Sequence, residues 1–183
     1  MGEPGVDRHV VIIGASLAGT RTAQGLRSFG HSGPITLIGA EPELPYDRPP
    51  LSKDLLTSDW SDTAVDGIRL ITEAELAELA LDLRLGVAAT GLDPRSRRVA
   101  LSDGSAVGYD ILVIATGAAA RPSPWRPVSG VLQLRTLADS QAIAERLARK
   151  EPVVVVGGGF IGTEIAAAAR GLGCPVTVVD PVA

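Results

Sequence analysis

The chain has 183 residues, enough for one domain or two small ones, and 45% of them are hydrophobic, enough for a real core. Aromatics make up only 3%, so that core is built from Val, Ile, Leu and Ala, and a net charge of −4 argues against a nucleic-acid binder, which is ordinarily basic. The one cysteine, Cys174, excludes a disulfide framework within the chain, argues against a thiolate metal cluster and fits a reducing compartment.

Residues 1–8 lack the basic-then-apolar pattern of a signal peptide. The run Val10–Ile13 is strand length, and nothing approaches the roughly 18 apolar residues of a membrane span. The expectation is a soluble cytoplasmic protein. Val10–Ile13 is apolar throughout and β-branched, the pattern of a strand buried on both faces of a parallel sheet. A helix is predicted over 17–29, with Ala18, Leu26 and Phe29 available for packing and Gly30 as its stop. Ile35–Ile38 returns as a strand, completing a βαβ unit with a right-handed crossover.

Residues 41–52 hold Pro42, Pro45, Pro49 and Pro50, and read as an ordered but irregular loop. Thr72 with Glu75 forms a capping-box pattern that opens a short helix ending near Ala80. Leu83, Leu85 and Val87 alternate as a strand, and 99–101 with 106–109 flank Asp103-Gly104 as a hairpin. Ile111–Ile114 reads as another buried strand. Three prolines in 121–127 mark a domain boundary, giving a first domain over 7–121 and a second over 122–183. A helix over 137–150 follows. Then Val153–Val156, Phe160–Gly171 and Val176–Val179 repeat the first βαβ unit. The offset is constant from Gly14 to Gly157, Gly19 to Gly162 and Gly30 to Gly173, until two extra residues precede the second strand of the first copy. The fold class is α/β, with two Rossmann-like dinucleotide-binding domains, both incomplete in this chain.

The glycines have a physical purpose. A phosphate at a helix N-terminus meets unsatisfied N–H groups and the positive end of the dipole. The first glycine permits the tight turn, the second lets a pyrophosphate approach, and the third lets helix and strand pack. Gly157, Gly159 and Gly162 complete this set; the first copy has Gly14 and Gly19 with Ser16 in the middle, a small residue that reduces clearance without abolishing the site. An acid after the next strand binds a ribose: Asp180 in the second copy, at the position that favours NAD, and Glu41 in the first, two residues past the aligned position.

More specific runs follow. Tyr46-Asp47-Arg48-Pro49-Pro50-Leu51-Ser52-Lys53, Asp103-Gly104, Tyr109-Asp110, Ile114-Ala115-Thr116-Gly117, Leu134-Arg135-Thr136 and Gly159-Phe160-Ile161-Gly162-Thr163-Glu164 together resemble the NADH-dependent ferredoxin reductases of oxygenase and cytochrome P450 systems. The resemblance covers about His9 to Val179. It implies FAD on the first glycine turn, with Ala18 in its middle and Thr116 and Gly117 among the cofactor contacts, and NADH on the second. It implies that Arg48 and the two prolines line the flavin pocket and that Lys53 sits by the isoalloxazine ring, where a cation stabilises negative charge on reduced flavin. Glu164 would pair with Lys53 and face the nicotinamide, Ala89 would contact FAD near the adenine, and Arg135 would bind FAD from the second domain. Family members commonly carry Asp where this chain has Ala40, with Glu41 beside it. The family also continues past the position of Ala183, so the expectation is a fragment of a longer reductase or a truncated natural product, with exposed apolar strands and a tendency to self-associate.

The implied activity is electron transfer from NADH through flavin to a [2Fe–2S] ferredoxin or a rubredoxin. The alternatives are another NAD(P)H-dependent flavin oxidoreductase and a non-catalytic nucleotide-binding module. A disulfide reductase needs a cysteine pair near the flavin, whereas Cys174 stands alone and reads as a small buried apolar residue. His9 and His31 lack metal-ligand spacing. Arg95, Arg97 and Arg98 read as a solvated turn, with docking of an acidic ferredoxin as the other use of such a cluster. Trp60 and Trp125 are placed in loops without a stacking role.

Overall fold

The computed structural model describes residues 7–124 and 128–180. Trp125, Arg126 and Pro127 of the proline-rich break lie outside the described residues, as do 1–6 and 181–183. The chain forms two compact units: 7–47 with 69–117, and 48–68 with 118–180. Residues 48–68, between the two stretches of the first unit in sequence, belong to the second.

The first unit is built on β1 (Val10–Ile13), α1 (Leu17–Ser28) and β2 (Ile35–Ile38), with every strand residue buried. After the segment that belongs to the second unit, which contains helices α2 (Asp54–Thr57) and α3 (Asp62–Asp66), come α4 (Glu73–Glu78), β3 (Leu81–Arg84), β4 (Ala89–Asp93), β5 (Arg98–Leu101), β6 (Ala106–Gly108) and β7 (Ile111–Ile114). Four strands pair in parallel in the order β3-β2-β1-β7, and β4-β5-β6 form an antiparallel sheet. The alternation of the strands sets two layers. Val10, Ile12, Ile35 and Leu37 meet Ala23 and Leu26 of α1. Val11, Ile13 and Ile38 face the other way, against Val99, Leu101 and Val107 of the antiparallel sheet.

Four expectations need correction here. Ala18 and Phe29 are exposed, Phe29 to 94%. The helix instead buries Gly19, Thr20 and Ala23, and Phe29 sits just past its end. The strand expected through Leu83, Leu85 and Val87 is Leu81–Arg84. The chain turns at Gly86, whose N–H bonds to the Glu41 carbonyl at 2.9 Å, so the alternation spans a corner. β7 is an edge strand with Ile111 and Ile114 exposed. The expected helix end near Ala80 falls at Glu78, although the Thr72–Glu75 capping box is present. Arg27 fastens this unit: its guanidinium donates to the carbonyls of Leu79, His31 and Gly33 at 2.8, 2.7 and 2.7 Å.

In the second unit, Pro49–Ser52 forms a 3-10 turn within the stretch read as irregular, because two prolines pre-set φ at its start. Helices α2 (Asp54–Thr57) and α3 (Asp62–Asp66) follow, then α5 (Leu137–Leu147), β8 (Val153–Val156), α6 (Phe160–Gly171) and β9 (Val176–Val179). A Thr136–Asp139 capping box opens α5, which stops before the expected Lys150. Leu56, Ile143, Ala144, Leu147, Ala169 and Cys174 form the core. β8 and β9 pair in parallel as a two-stranded sheet. Val154, Val156 and Val179 on one face of it are exposed.

Candidate functional site

Both glycine turns are set by the same backbone geometry. Gly14 leaves β1 at φ +118° and Gly157 leaves β8 at φ +107°, where a Cβ is poorly tolerated. Each donates its N–H across to the end of the neighbouring strand, to Ile38 and to Val179, at 2.8 Å. A Cβ on Gly19 would fall on the Gly14 carbonyl oxygen and lie 3.2 Å from Ile12 Cγ2. A Cβ on Gly162 would fall on the Gly157 carbonyl oxygen and lie 3.2 Å from Val155 Cγ1. The last glycine is therefore demanded by packing of helix on strand.

The middle position is different. A Cβ on Gly159 would meet nothing within 4 Å. The protein itself has no steric need for glycine there, and the space is open beside the N-terminus of α6. In the first turn this position is Ser16, the N-cap residue of α1, whose hydroxyl caps nothing and is left as a donor. Neither α1 nor α6 carries an acidic residue in its first turn; at α6 the Asp180 carboxylate, on the N–H of Gly158 just before the N-cap, is an acid beside the positive helix end. Ala18 lies in the first turn of α1, among the N–H groups without an intrahelical partner. The donor set and the cradle at both turns fit an anionic dinucleotide phosphate.

The acids are held differently. Asp180 accepts the N–H of Gly158 through Oδ2, and a Cβ on Gly158 would stand 2.9 Å from that oxygen. Glu41 accepts the Tyr46 hydroxyl. Thr116 is close to the first turn, its N atom 3.0 Å from where a Gly14 Cβ would be, and Gly117 follows it. Ala89 opens β4, half-buried.

Within the second unit the structure joins Lys53 to Glu164: Nζ and Oε1 are 3.2 Å apart. Glu164 Oε2 accepts the hydroxyl of Ser52. The Ser52 hydroxyl first, and then the Lys53 ammonium, hold the Glu164 carboxyl below the ordinary glutamate range. The Arg48 guanidinium donates to the carbonyl of Arg135, so the Arg48 side chain meets the Arg135 main chain. The Ser140 hydroxyl donates to the Leu51 carbonyl at 2.7 Å and ties the 3-10 turn to α5. Sequence reasoning missed Ser52 and Gly158. The only signal for Ser52 was its place directly before Lys53.

Other residues stay apart. His9 Nε2 pairs with Thr36 Oγ1 at 2.8 Å, and among the described residues no group of His, Cys, Asp and Glu could hold a metal. Arg95, Arg97 and Arg98 lie exposed at the turn between β4 and β5. No helix among the described residues is long and apolar enough to cross a membrane.

Comparison with known proteins matches residues 8–183 to the pyridine nucleotide-disulphide oxidoreductase family. The anthranilate 1,2-dioxygenase system ferredoxin–NAD(+) reductase component of Burkholderia cepacia is 45% identical over 175 residues, covering 94% of this chain and 42% of that protein. The rubredoxin–NAD(+) reductase of Pseudomonas putida is 39% identical over 173 residues, covering 93% and 44%. In the crystal structure of the covalent putidaredoxin reductase–putidaredoxin complex, a chain 37% identical superposes with a TM-score of 0.84 over 95% of this chain and 42% of its own length. The chain thus spans well under half the length of these relatives.

Proposed function

The chain belongs to the pyridine nucleotide-disulphide oxidoreductase family, and from that premise we propose that it serves an FAD-dependent oxidoreductase passing electrons from NADH to a [2Fe–2S] ferredoxin or a rubredoxin. The observation that carries the reading is the repeated glycine turn, whose last glycine is required by packing in both copies and whose middle position, at Gly159 of the second copy, has open space around it. We assign FAD to the first turn, through Gly14, Ser16, Ala18, Gly19, Thr116 and Gly117, with Glu41 at a ribose and Ala89 near the adenine. NADH goes to the second, through Gly157, Gly159 and Gly162, with Asp180 at the ribose. To Arg48, Arg135 and Lys53 we assign flavin contacts. The domain boundary expected at 121/122 is kept as a division between FAD-binding and NAD-binding parts of the sequence.

Bound flavin would supply the conversion from a two-electron donor to one-electron acceptors. The chain supplies orientation and charge. Ser16 and the N–H groups of α1 hold a pyrophosphate; the N–H groups of α6 hold the other. Lys53 provides positive charge for a reduced flavin, and Glu164, held ionised, keeps that ammonium in place. No redox disulfide can form within these 183 residues, because Cys174 is alone and buried.

The test is purification of the chain followed by anaerobic addition of NADH. We expect flavin absorbance in the purified chain and its bleaching by NADH. A chain that retains FAD without bleaching is a nucleotide-binding module, the reading favoured by the two-stranded β8–β9 sheet with its bare face. A chain that takes up no FAD from excess cofactor sinks both.

A further inference from the structure

We propose that Ser52 is the positioning residue of the redox site, gripping one oxygen of Glu164 so that the other stays on the Lys53 ammonium. The proposal rests on the functional reading above for its purpose, and on geometry for the grip itself.

The ion pair alone is a poor anchor. The Lys53 side chain is 49% exposed and that of Glu164 30%, and pairs so placed contribute little and wander among rotamers. Ser52 is 5% exposed. It closes a 3-10 turn that begins with two prolines, and the residue before it is tied through its carbonyl to the buried hydroxyl of Ser140. The rigid member of the trio is therefore the serine. Its hydroxyl has one hydrogen. The Pro49 carbonyl is 3.4 Å away, at the edge of hydrogen-bonding range, and the Glu164 carboxylate is much closer. A charge-assisted bond takes the proton in preference to a stretched neutral one.

The consequence is an oriented anion. Ser52 and Lys53 are adjacent in sequence and take the two oxygens of one carboxylate, which fixes its rotation as well as its position. The elements packed on α6 carry other charged groups: Arg48 before the 3-10 turn, Asp54 at the start of α2 and Asp180 after β9. Lys53 is the group whose charge acts on Glu164. Without the hydroxyl the carboxylate would swing, and the ammonium would lose both its place and the constant charge of its partner.

The experiment reads Glu164 directly, in the chain without any nucleotide. Its side-chain carboxyl is followed by carbon NMR against pH in wild type, Ser52→Ala, Ser52→Cys and Ser52→Thr. We expect the titration to move up toward the ordinary glutamate range in the Ala and Cys variants and to stay near the wild-type position in Thr, which keeps the hydroxyl. The Cys variant replaces a strong donor by a weak one at similar size, so it carries the test if Ala fails to fold. An unmoved Glu164 in a folded Ala or Cys variant overturns the proposal and leaves the flavin reading intact. In FAD-loaded protein, Ser52→Ala should lower the rate of NADH-dependent bleaching, and should add nothing once Glu164→Gln is present. An equal loss in both backgrounds shows that Ser52 does not act through Glu164, and overturns the proposal too.

Discussion

The two βαβ copies share their turns and differ in what surrounds them. β1 and β2 are buried along their whole length, whereas β8 and β9 each present residues to solvent. Val11 and Val154 occupy the same place in the repeat, yet one is 0% and the other 64% exposed. The lesson is a division of causes. The packing of the last glycine on its own turn and strand is local and repeats faithfully. Burial is decided by which further strands and layers arrive: β1 has β2, β7 and an antiparallel sheet over it, while among the described residues β8 has β9 as its one strand neighbour and helices on one face.

What is local should cost the same in both copies. Gly19→Ala and Gly162→Ala each place a Cβ on a carbonyl oxygen of the same turn. The helix must back away from its strand, and we predict a loss of about 3 kcal/mol in each, the upper end of overpacking costs. Gly159→Ser makes the second turn resemble the first. With nothing within 4 Å of a Cβ there, stability should change by less than about 0.5 kcal/mol. Chemical denaturation of the three variants decides the matter. A Gly159→Ser loss as large as that of Gly162→Ala would break the claim that the middle position is free of packing.

What is not local should cost differently. Val11→Ala removes two methyls from a sealed layer and should cost about 2 kcal/mol. Val154→Ala, the same change at the matching position, should fall within about 0.5 kcal/mol. Equal losses in denaturant titrations would show that the bare face of β8 is covered in solution. Arg27 and Arg170 make a second matched pair. Arg27 bonds three carbonyls at 2.7–2.8 Å and reaches that of Ala80 at 3.4 Å, whereas Arg170 reaches the Cys174 carbonyl at 3.4 Å. Arg27→Ala should cost about 1.5 kcal/mol and Arg170→Ala a few tenths, measured by the same titrations.

The same division explains how far the sequence could be read. Val10–Ile13, Ile35–Ile38, Val153–Val156 and Phe160–Gly171 were legible because apolar runs and glycine punctuation are local signals. Phe29 misled because helical periodicity continues on paper past the residue where the helix stops. β7 misled because Ile-Leu-Val-Ile reads as buried whether or not a further neighbour covers it. At the candidate site, Lys53 and Glu164 were paired through the resemblance, and the structure joins them. Ser52 was out of reach, since a serine carries no pattern and its partner lies 112 residues away. The allegiance of 48–68 to the second unit rests on packing between Leu56 and residues of α5 and α6, which no spacing announces.

The smallest effect expected is a difference in acid response between the units. In the first, Glu75, Asp93 and Asp103 are held below their ordinary values by hydrogen bonds from Thr72, Ser96 and Ser105 respectively. In the second, Asp59 is lowered by Ser61 and Glu164 by Ser52 and Lys53. A carboxyl with a depressed folded pKa binds its proton more weakly in the folded state than in the unfolded one. Its contribution to stability is complete above the unfolded values, 3.8 for Asp and 4.5 for Glu, and is lost as pH falls through the lowered values. Both units should therefore be flat above about pH 5 and weaken below it. The three first-unit groups each brace a turn or cap by a single local loop, so each loss is local and small. In the second unit, protonating Glu164 also releases Lys53 and unties α6 from the 3-10 turn. Amide hydrogen exchange measured from pH 6 down to pH 3 reads the units separately. Protection around 49–53 and the first turn of α6 should fall at acid pH before that of β1 and β2, and Glu164→Gln should remove this early loss. Early loss that persists in Glu164→Gln would assign the acid sensitivity to something other than the grip on this carboxylate.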